Sequence, residues 1–236
     1  MIRNILIIAI LAGLATVFVS LFWNFGSSDT LTPLATHYAN NGVEEVGAPN
    51  LVTSVIVTYR GLDTLGEVTI LFLVAAIVSF FLKTENTNKE ENSPKRETSE
   101  IILTASRLLM PIVMVLGIYV FVNGHLTPGG GFQGGAIVAT SFVLMLMANP
   151  RFQINHRIIA TVESVSGISF VFIGVLGILL AGGFLDNKIL PLGTFGKLFS
   201  AGAIPIIYSL VGLKVGSELS NILSNFQGIQ MKNYKQ

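Results

Sequence analysis

The groups in this sequence that are able to move a proton or hold a cation are ionisable side chains set inside long apolar runs. The densest set lies in "NLVTSVIVTYRGLDTLGEVTILFLVAAIVSFFL", residues 50–82, where Arg60, Asp63, Thr64 and Glu67 fall at i, i+3, i+4 and i+7. On a helix that spacing gathers them on one face. Two readings stand side by side. At a membrane boundary such charges snorkel to water and anchor the helix; facing a bundle interior they are costly and mark an ion or proton path. Glu67 is the sharper candidate, because only uncharged residues follow it as far as Leu82. Arg60 with Asp63 then reads as an ion pair beside it.

The other candidates are scattered. Glu163 stands one to two turns into an apolar stretch, either reaching headgroups or facing a path, and Arg107 reads as an interfacial anchor. Lys214 and Glu218 are an i, i+4 pair in the last apolar stretch, in the less favourable order for an isolated helix. His125 sits in a loop, where the ordinary reading is a solvated ring and the alternative a proton relay. The three histidines, His37, His125 and His156, are far apart, and the chain has no cysteine. No metal-ligand or nucleophile constellation emerges, and thiolate or iron–sulfur ligation by this chain is excluded. No cofactor is expected in it.

The loop "NGHLTPGGGFQGGAI", residues 123–137, contains a literal G-x-G-x-x-G at Gly129, Gly131 and Gly134. A dinucleotide site needs a strand before this motif and an acidic residue about 20 positions after it. Here an apolar helix-length run precedes it, and the next acidic residue is Glu163. The loop is instead read as a tight turn. Pro128 breaks the helix pattern and Phe132 opens the next helix. Gly130/Gly134 and Gly131/Gly135 are small-xxx-small pairs that let a neighbouring helix approach.

What must position these residues is lipid-embedded helix. The chain has 236 residues, 51% hydrophobic and 11% charged, against roughly 25% charged in a soluble domain. A net charge of +1 argues for no nucleic-acid partner. Six runs approach the ~20 residues a spanning helix needs: about 4–23, 68–82, 102–123, 131–149, 158–181 and 198–220. The first is too long for a signal-peptide core and is read as a retained helix. The expected fold is an all-α integral membrane protein of about six transmembrane helices. A two-helix module, residues 1–82 with a polar kinked segment at 50–67, is joined by a cytoplasmic linker, 83–100, to a four-helix module, 101–236. Arg3, Lys83, Lys89, Lys95, Arg96, Arg151, Arg157, Lys232 and Lys235 would share one side, leaving Lys188 and Lys197 on the other. This bias predicts both termini on the cytoplasmic face of the cell membrane.

Two longer stretches carry a family resemblance. "GHLTPGGGFQGGAI" (124–137) and "GTFGKLFSAGAIPIIYSLVGLKVG" (193–216) resemble the B subunit of Mrp-type multisubunit sodium/proton antiporters. "GAPNLVTSVIVTYRGLDTLGE" (47–67) resembles the C-terminal module of the antiporter A subunit. That module also occurs as a small subunit of membrane-bound hydrogenases and sulfane-sulfur reductases related to respiratory complex I. The resemblance implies a non-catalytic subunit of a cation-translocating complex, with Na+ and H+ as transported ions. Its implied partners are other Mrp-type membrane subunits, lipid and, in a redox-driven complex, a peripheral iron–sulfur or hydrogenase-like arm. The fused arrangement favours such a redox-driven complex. By the same resemblance Arg60, Gly61, Asp63, Thr64, Gly66 and Glu67 occupy an R-G-x-D-T-x-G-E motif, and Pro128 and Phe132 stand in the B-subunit signature. Two functions fit: an ion-conducting subunit using Glu67, Asp63, Arg60, Lys214, Glu163 and His125 as relay groups, or a scaffold of a stand-alone antiporter whose ion path runs on other chains.

Overall fold

In a hydrocarbon solvent every backbone N–H and C=O must be satisfied inside the chain, and helices do this segment by segment. The computed structural model, which describes residues 2–23, 30–83, 99–149, 152 and 154–233, is helical throughout its spanning parts. Among the described residues eight α-helices follow in order: α1 Ile2–Trp23, α2 Pro33–Val46, α3 Leu51–Thr53, α4 Gly61–Lys83, α5 Glu100–Val122, α6 Gly131–Ala148, α7 His156–Leu180 and α8 Ile204–Asn233. Six of them, all but α2 and α3, are long and apolar enough to cross a membrane. The protein is an all-α membrane protein.

The chain divides into two compact units, Met1–His37 and Tyr38–Gln236. In the first, residues 4–23 of α1 are exposed along their whole length. The second unit is organised around α8, which packs against α4, α5, α6 and α7. Half of its spanning window is buried. The compact division falls within α2, and α4 lies in the same unit as α5–α8. Of the expected linker, residues 84–98 lie outside the described residues.

The polar kink expected within residues 50–67 has a definite form. Asn50 caps α3 by accepting from the Val52 amide at 3.1 Å, and α3 runs into a π-helical turn, Ser54–Tyr59. The path breaks at Arg60, with φ −119° and ψ 35°, and α4 begins at Gly61. The expected second span therefore starts earlier than residue 68. The expected last span starts later than residue 198, because Ala201 and Gly202 turn at φ +61° and +60°.

At one end of the bundle these loops lock together. Asn50 Nδ2 donates to the Gly124 and Thr127 carbonyls at 2.8 and 3.0 Å, and its amide donates to the His125 carbonyl at 3.1 Å. Asn187 Nδ2 donates to the Val46 and Ala201 carbonyls at 2.8 and 3.0 Å. Tyr59 donates to Glu45 and stacks on Tyr38 at 4.6 Å. Burial, with Glu45 beside it, pushes the Tyr59 phenol up to about 12. His125, read from sequence as a solvated loop histidine, is completely buried within this layer. Its Nε2 lies 3.4 Å from the Lys197 carbonyl. Burial pushes the ring below its usual 6.5, and backbone hydrogen bonding only partly opposes this.

The glycines after Pro128 set the closest helix approaches. Gly134 faces α5, where a Cβ would lie 2.6 Å from the Gly117 carbonyl oxygen; Gly135 faces α8, where one would lie 2.7 Å from the Gly212 carbonyl oxygen. The two faces of α6 thus meet two different helices.

Two outcomes follow from this packing. Gly134→Ala must push α5 and α6 apart and is expected to cost about 1–3 kcal/mol, whereas Gly66→Ala, with open space around its Cβ, leaves stability unchanged; thermal unfolding in detergent compares them. The second concerns pH. A histidine buried neutral leaves the unfolded chain binding more protons below about pH 6.5, so stability falls as pH drops from about 7 to about 5. The unfolding midpoint of the parent protein should show that fall, and His125→Gln should show less of it.

Candidate functional site

An ionisable side chain at membrane depth must find its compensation in protein, because lipid offers none. Lys214 stands ten residues into α8, about 15 Å along its axis and so near half the ~30 Å hydrocarbon thickness. Its Nζ lies 2.5 Å from Glu218 Oε1, and the two side chains are 9% and 0% exposed. The i, i+4 order that is unfavourable on an isolated helix is overridden by burial, since neither partner has water to turn to. Glu218 Oε2 is buried and makes no hydrogen bond.

A third ionisable group faces this pair from the neighbouring helix. Glu163 on α7 is half-buried and interacts electrostatically with both Lys214 and Glu218. Glu163 and Lys214 line one cleft of about 330 Å³, bounded by α7 and by Leu65, Val68, Thr69 and Phe72 of α4. Gly167, one turn beyond Glu163, leaves room for the lysine stem: a Cβ there would lie 3.4–3.5 Å from Lys214 Cδ, Cε and Nζ. Lys214 Nζ also stands over the Phe72 ring, 5.1 Å from its centre. With all three ionised, one ammonium and two carboxylates carry one net negative charge, which a proton or a monovalent cation would neutralise.

The buried hydroxyls nearby are satisfied within their own helices, as expected of Ser in an apolar bundle. Ser141 donates to the Val138 carbonyl, Ser166 to Val162 and Ser220 to Gly216, each at 2.6 Å. They need no partner across the bundle, so the unsatisfied polar demand there rests with the charged cluster.

The polar set at Arg60–Glu67 is placed differently from the bundle-facing reading. Because the chain breaks at Arg60, the four residues do not share one regular helical face. Arg60 and Asp63 form an ion pair at 2.5 Å, with side chains 61% and 52% exposed. Thr64 alone turns inward, donating to the Ile56 carbonyl at 2.9 Å. Glu67 is exposed, since the stripe of α4 that meets the bundle runs through Thr64, Val68 and Ala75. Arg60, Asp63 and Glu67 are thus not brought together with Lys214 and Glu163.

His125 belongs to the end layer and is likewise apart from the cluster. In the glycine loop, Pro128 is exposed, Gly129 and Gly130 adopt φ +156° and +157°, and Phe132 packs on the core. Gly131, Gly134 and Gly135 are buried on α6. This segment builds packing around the cluster and adds no charge to it.

Sequence reasoning passed over Phe72, Gly167, Asn50, Thr53 and Tyr208. Thr53 donates to the Gly124 carbonyl at 2.8 Å and accepts from Tyr208 at 3.0 Å. None of these carries a periodic or charge signal; each matters through what lies across from it.

Comparison with known proteins gives the family. Residues 101–221 match the domain related to the MnhB subunit of Na+/H+ antiporters, and residues 2–96 match the E subunit of MBH. The chain is 34% identical over 230 residues to an uncharacterised protein of Methanocaldococcus jannaschii, covering 84% of this chain and 86% of that one. It is 36% identical over 88 residues to the B subunit of the Na+/H+ antiporter of Bacillus subtilis, covering 37% of this chain and 56% of that one. Among solved structures it is similar to a chain of the membrane-bound sulfane sulfur reductase, an archaeal respiratory membrane complex. That similarity has a TM-score of 0.77 and 38% identity, over 96% of this chain and 98% of that one. The chain belongs to the family of domains related to the MnhB subunit of Na+/H+ antiporters, carried behind a segment matching the E subunit of MBH, and is a membrane subunit of a complex of that kind.

Proposed function

We propose that this protein contributes an ionisable station to cation and proton translocation, formed by Glu163, Lys214 and Glu218. The observation that carries the reading is the buried Lys214–Glu218 pair, with a second carboxylate, Glu163, in the cleft that Lys214 lines. Keeping a lysine and two glutamates at that depth disfavours the fold relative to apolar residues of the same volume. Charge movement accounts for the presence of such groups there. The reading assigns the chain no active centre of its own. Its partners are other membrane subunits of an Mrp-type assembly, and the likeness over nearly the whole chain to a respiratory complex chain favours a redox-driven one. Na+ and H+ are the transported ions in this reading. Glu67, exposed on α4, is then presented to a neighbouring subunit rather than to this bundle. Both termini lie on the cytoplasmic side of the cell membrane, as the distribution of basic residues indicates.

Orientation is read out directly, because the chain has no cysteine of its own. A cysteine at Lys89 should react with an impermeant thiol reagent only in inside-out vesicles, and one at Lys188 only in right-side-out vesicles; the reverse pattern inverts the topology.

The translocation role separates from scaffolding by a double substitution. Lys214→Met alone strands a buried carboxylate and should destabilise the protein by about 3–5 kcal/mol. Adding Glu218→Gln should restore most of that stability and the assembly of the complex. Sodium-dependent proton flux should remain lost in the assembled double variant. Parent-level flux there would mean that the chain is a scaffold and the path lies elsewhere.

A further inference from the structure

The α8 helix meets α4 and the segment leading into it at three levels by specific contacts. At one end Tyr208 of α8 donates to Thr53, in the segment leading into α4, at 3.0 Å. At the other, Asn225 Nδ2 donates to Ser79 Oγ at 3.0 Å. Between them the contact is of another kind: the Lys214 ammonium over the face of Phe72. An aromatic face attracts a cation through its quadrupole, and the attraction grows when the cation is desolvated. The Lys214 side chain is only 9% exposed, so the ring supplies stabilisation that water would otherwise give.

The ionisable groups about Lys214 are Glu218 on its own helix and Glu163 on α7, while α4 offers the cleft only uncharged side chains. Both carboxylates act on the lysine from α7 and α8. Phe72 is the contribution of the N-terminal segment. Phe72 is 47% exposed and stands outside the buried core, so its size serves core packing little. Its position over Nζ is what the ring has in particular.

Resting on the proposed role of Lys214, we propose that Phe72 is a positioning residue for it. Its ring holds the ammonium at the mouth of the cleft between Glu218 and Glu163, so that the charge cluster is complete only when α4 is docked on α8. A shift of α4 would then move the ammonium relative to both carboxylates without touching either of them. The device joins the segment matching the E subunit of MBH to the MnhB-related domain at the place where the latter buries a lysine–glutamate pair.

The test compares Phe72→Leu with Phe72→Trp in the assembled complex, measuring sodium-dependent proton flux against sodium concentration. An ammonium held less firmly beside the carboxylates competes less well with sodium for them, so the half-saturating sodium concentration should fall by about two- to fivefold in Phe72→Leu. Phe72→Trp should return it to the parental value. A Phe72→Leu variant whose half-saturating concentration is unchanged, with flux equal to the parent's or lowered by the same factor at every sodium concentration, overturns the assignment, as does failure of Trp to rescue the shift. If Phe72→Leu impairs assembly, Phe72→Met keeps the volume without the ring and is read in the same way. The Lys214→Met/Glu218→Gln variant is run alongside. Parental flux in that variant refutes the translocation role itself, whereas lost flux there with an unshifted Phe72→Leu half-saturation refutes only the part assigned to Phe72.

Discussion

A lysine ammonium and a glutamate carboxylate one turn apart on α8, both shut off from solvent, set the terms for the helices around them. Removing such charges from water costs several kcal/mol for each ion, and their mutual attraction offsets that only when geometry and surroundings cooperate. Here the surroundings come from two neighbouring helices. α7 supplies Glu163 and the space at Gly167, and α4 supplies the Phe72 ring. α8 therefore cannot be an ordinary lipid-facing span. It has to be the axis of the bundle, and it is the helix that packs on α4, α5, α6 and α7.

Around that axis the glycines have a clear mechanical purpose. Without a hydrophobic drive between helices in lipid, association depends on close packing and polar contacts. Gly131 and Gly135 bring α6 against Val211, Gly212 and Val215 of α8, while Gly134 brings it against α5. Both contacts start from the same loop after Pro128. The irregular backbone of that loop is tolerated because Asn50 and Thr53 satisfy its carbonyls. A segment that looked like a nucleotide motif is thus a packing device whose polar backbone is completed by side chains more than seventy residues earlier.

The buried end layer and the charged cluster differ in how they meet the same constraint. In the layer, amide and hydroxyl groups from Asn50, Asn187 and Thr53 are neutral and directional, and they tie loops to one another. In the cluster the groups are ionisable; buried atoms without a hydrogen bond occur in both places, Asn187 Oδ1 and His125 Nδ1 in the layer and Glu218 Oε2 in the cluster. The first arrangement suits a fixed scaffold. The second suits a site whose charge changes, because a carboxylate takes up a proton or a cation where an amide or hydroxyl does not.

Much was legible from sequence because the bilayer imposes a simple rule: runs of about 20 apolar residues must be helices. The existence of the six spans, the all-α class and the candidacy of Lys214 and Glu163 follow from that rule and from where charges interrupt it. The break near Arg60 was visible in the glycines around it. What sequence periodicity did not decide is which way a charged residue faces, since in a membrane both faces of a helix are apolar. Glu67 and Glu218 look alike in that respect, yet one is exposed and the other wholly buried. Likewise a loop position says little about His125, whose ring is fully buried beside the Lys197 carbonyl of another loop. Only the tertiary structure brings Glu163 of α7 and Phe72 of α4 into the cleft lined by Lys214, the partner of Glu218, because contacts among residues 72, 163 and 214 join three helices that no local pattern relates.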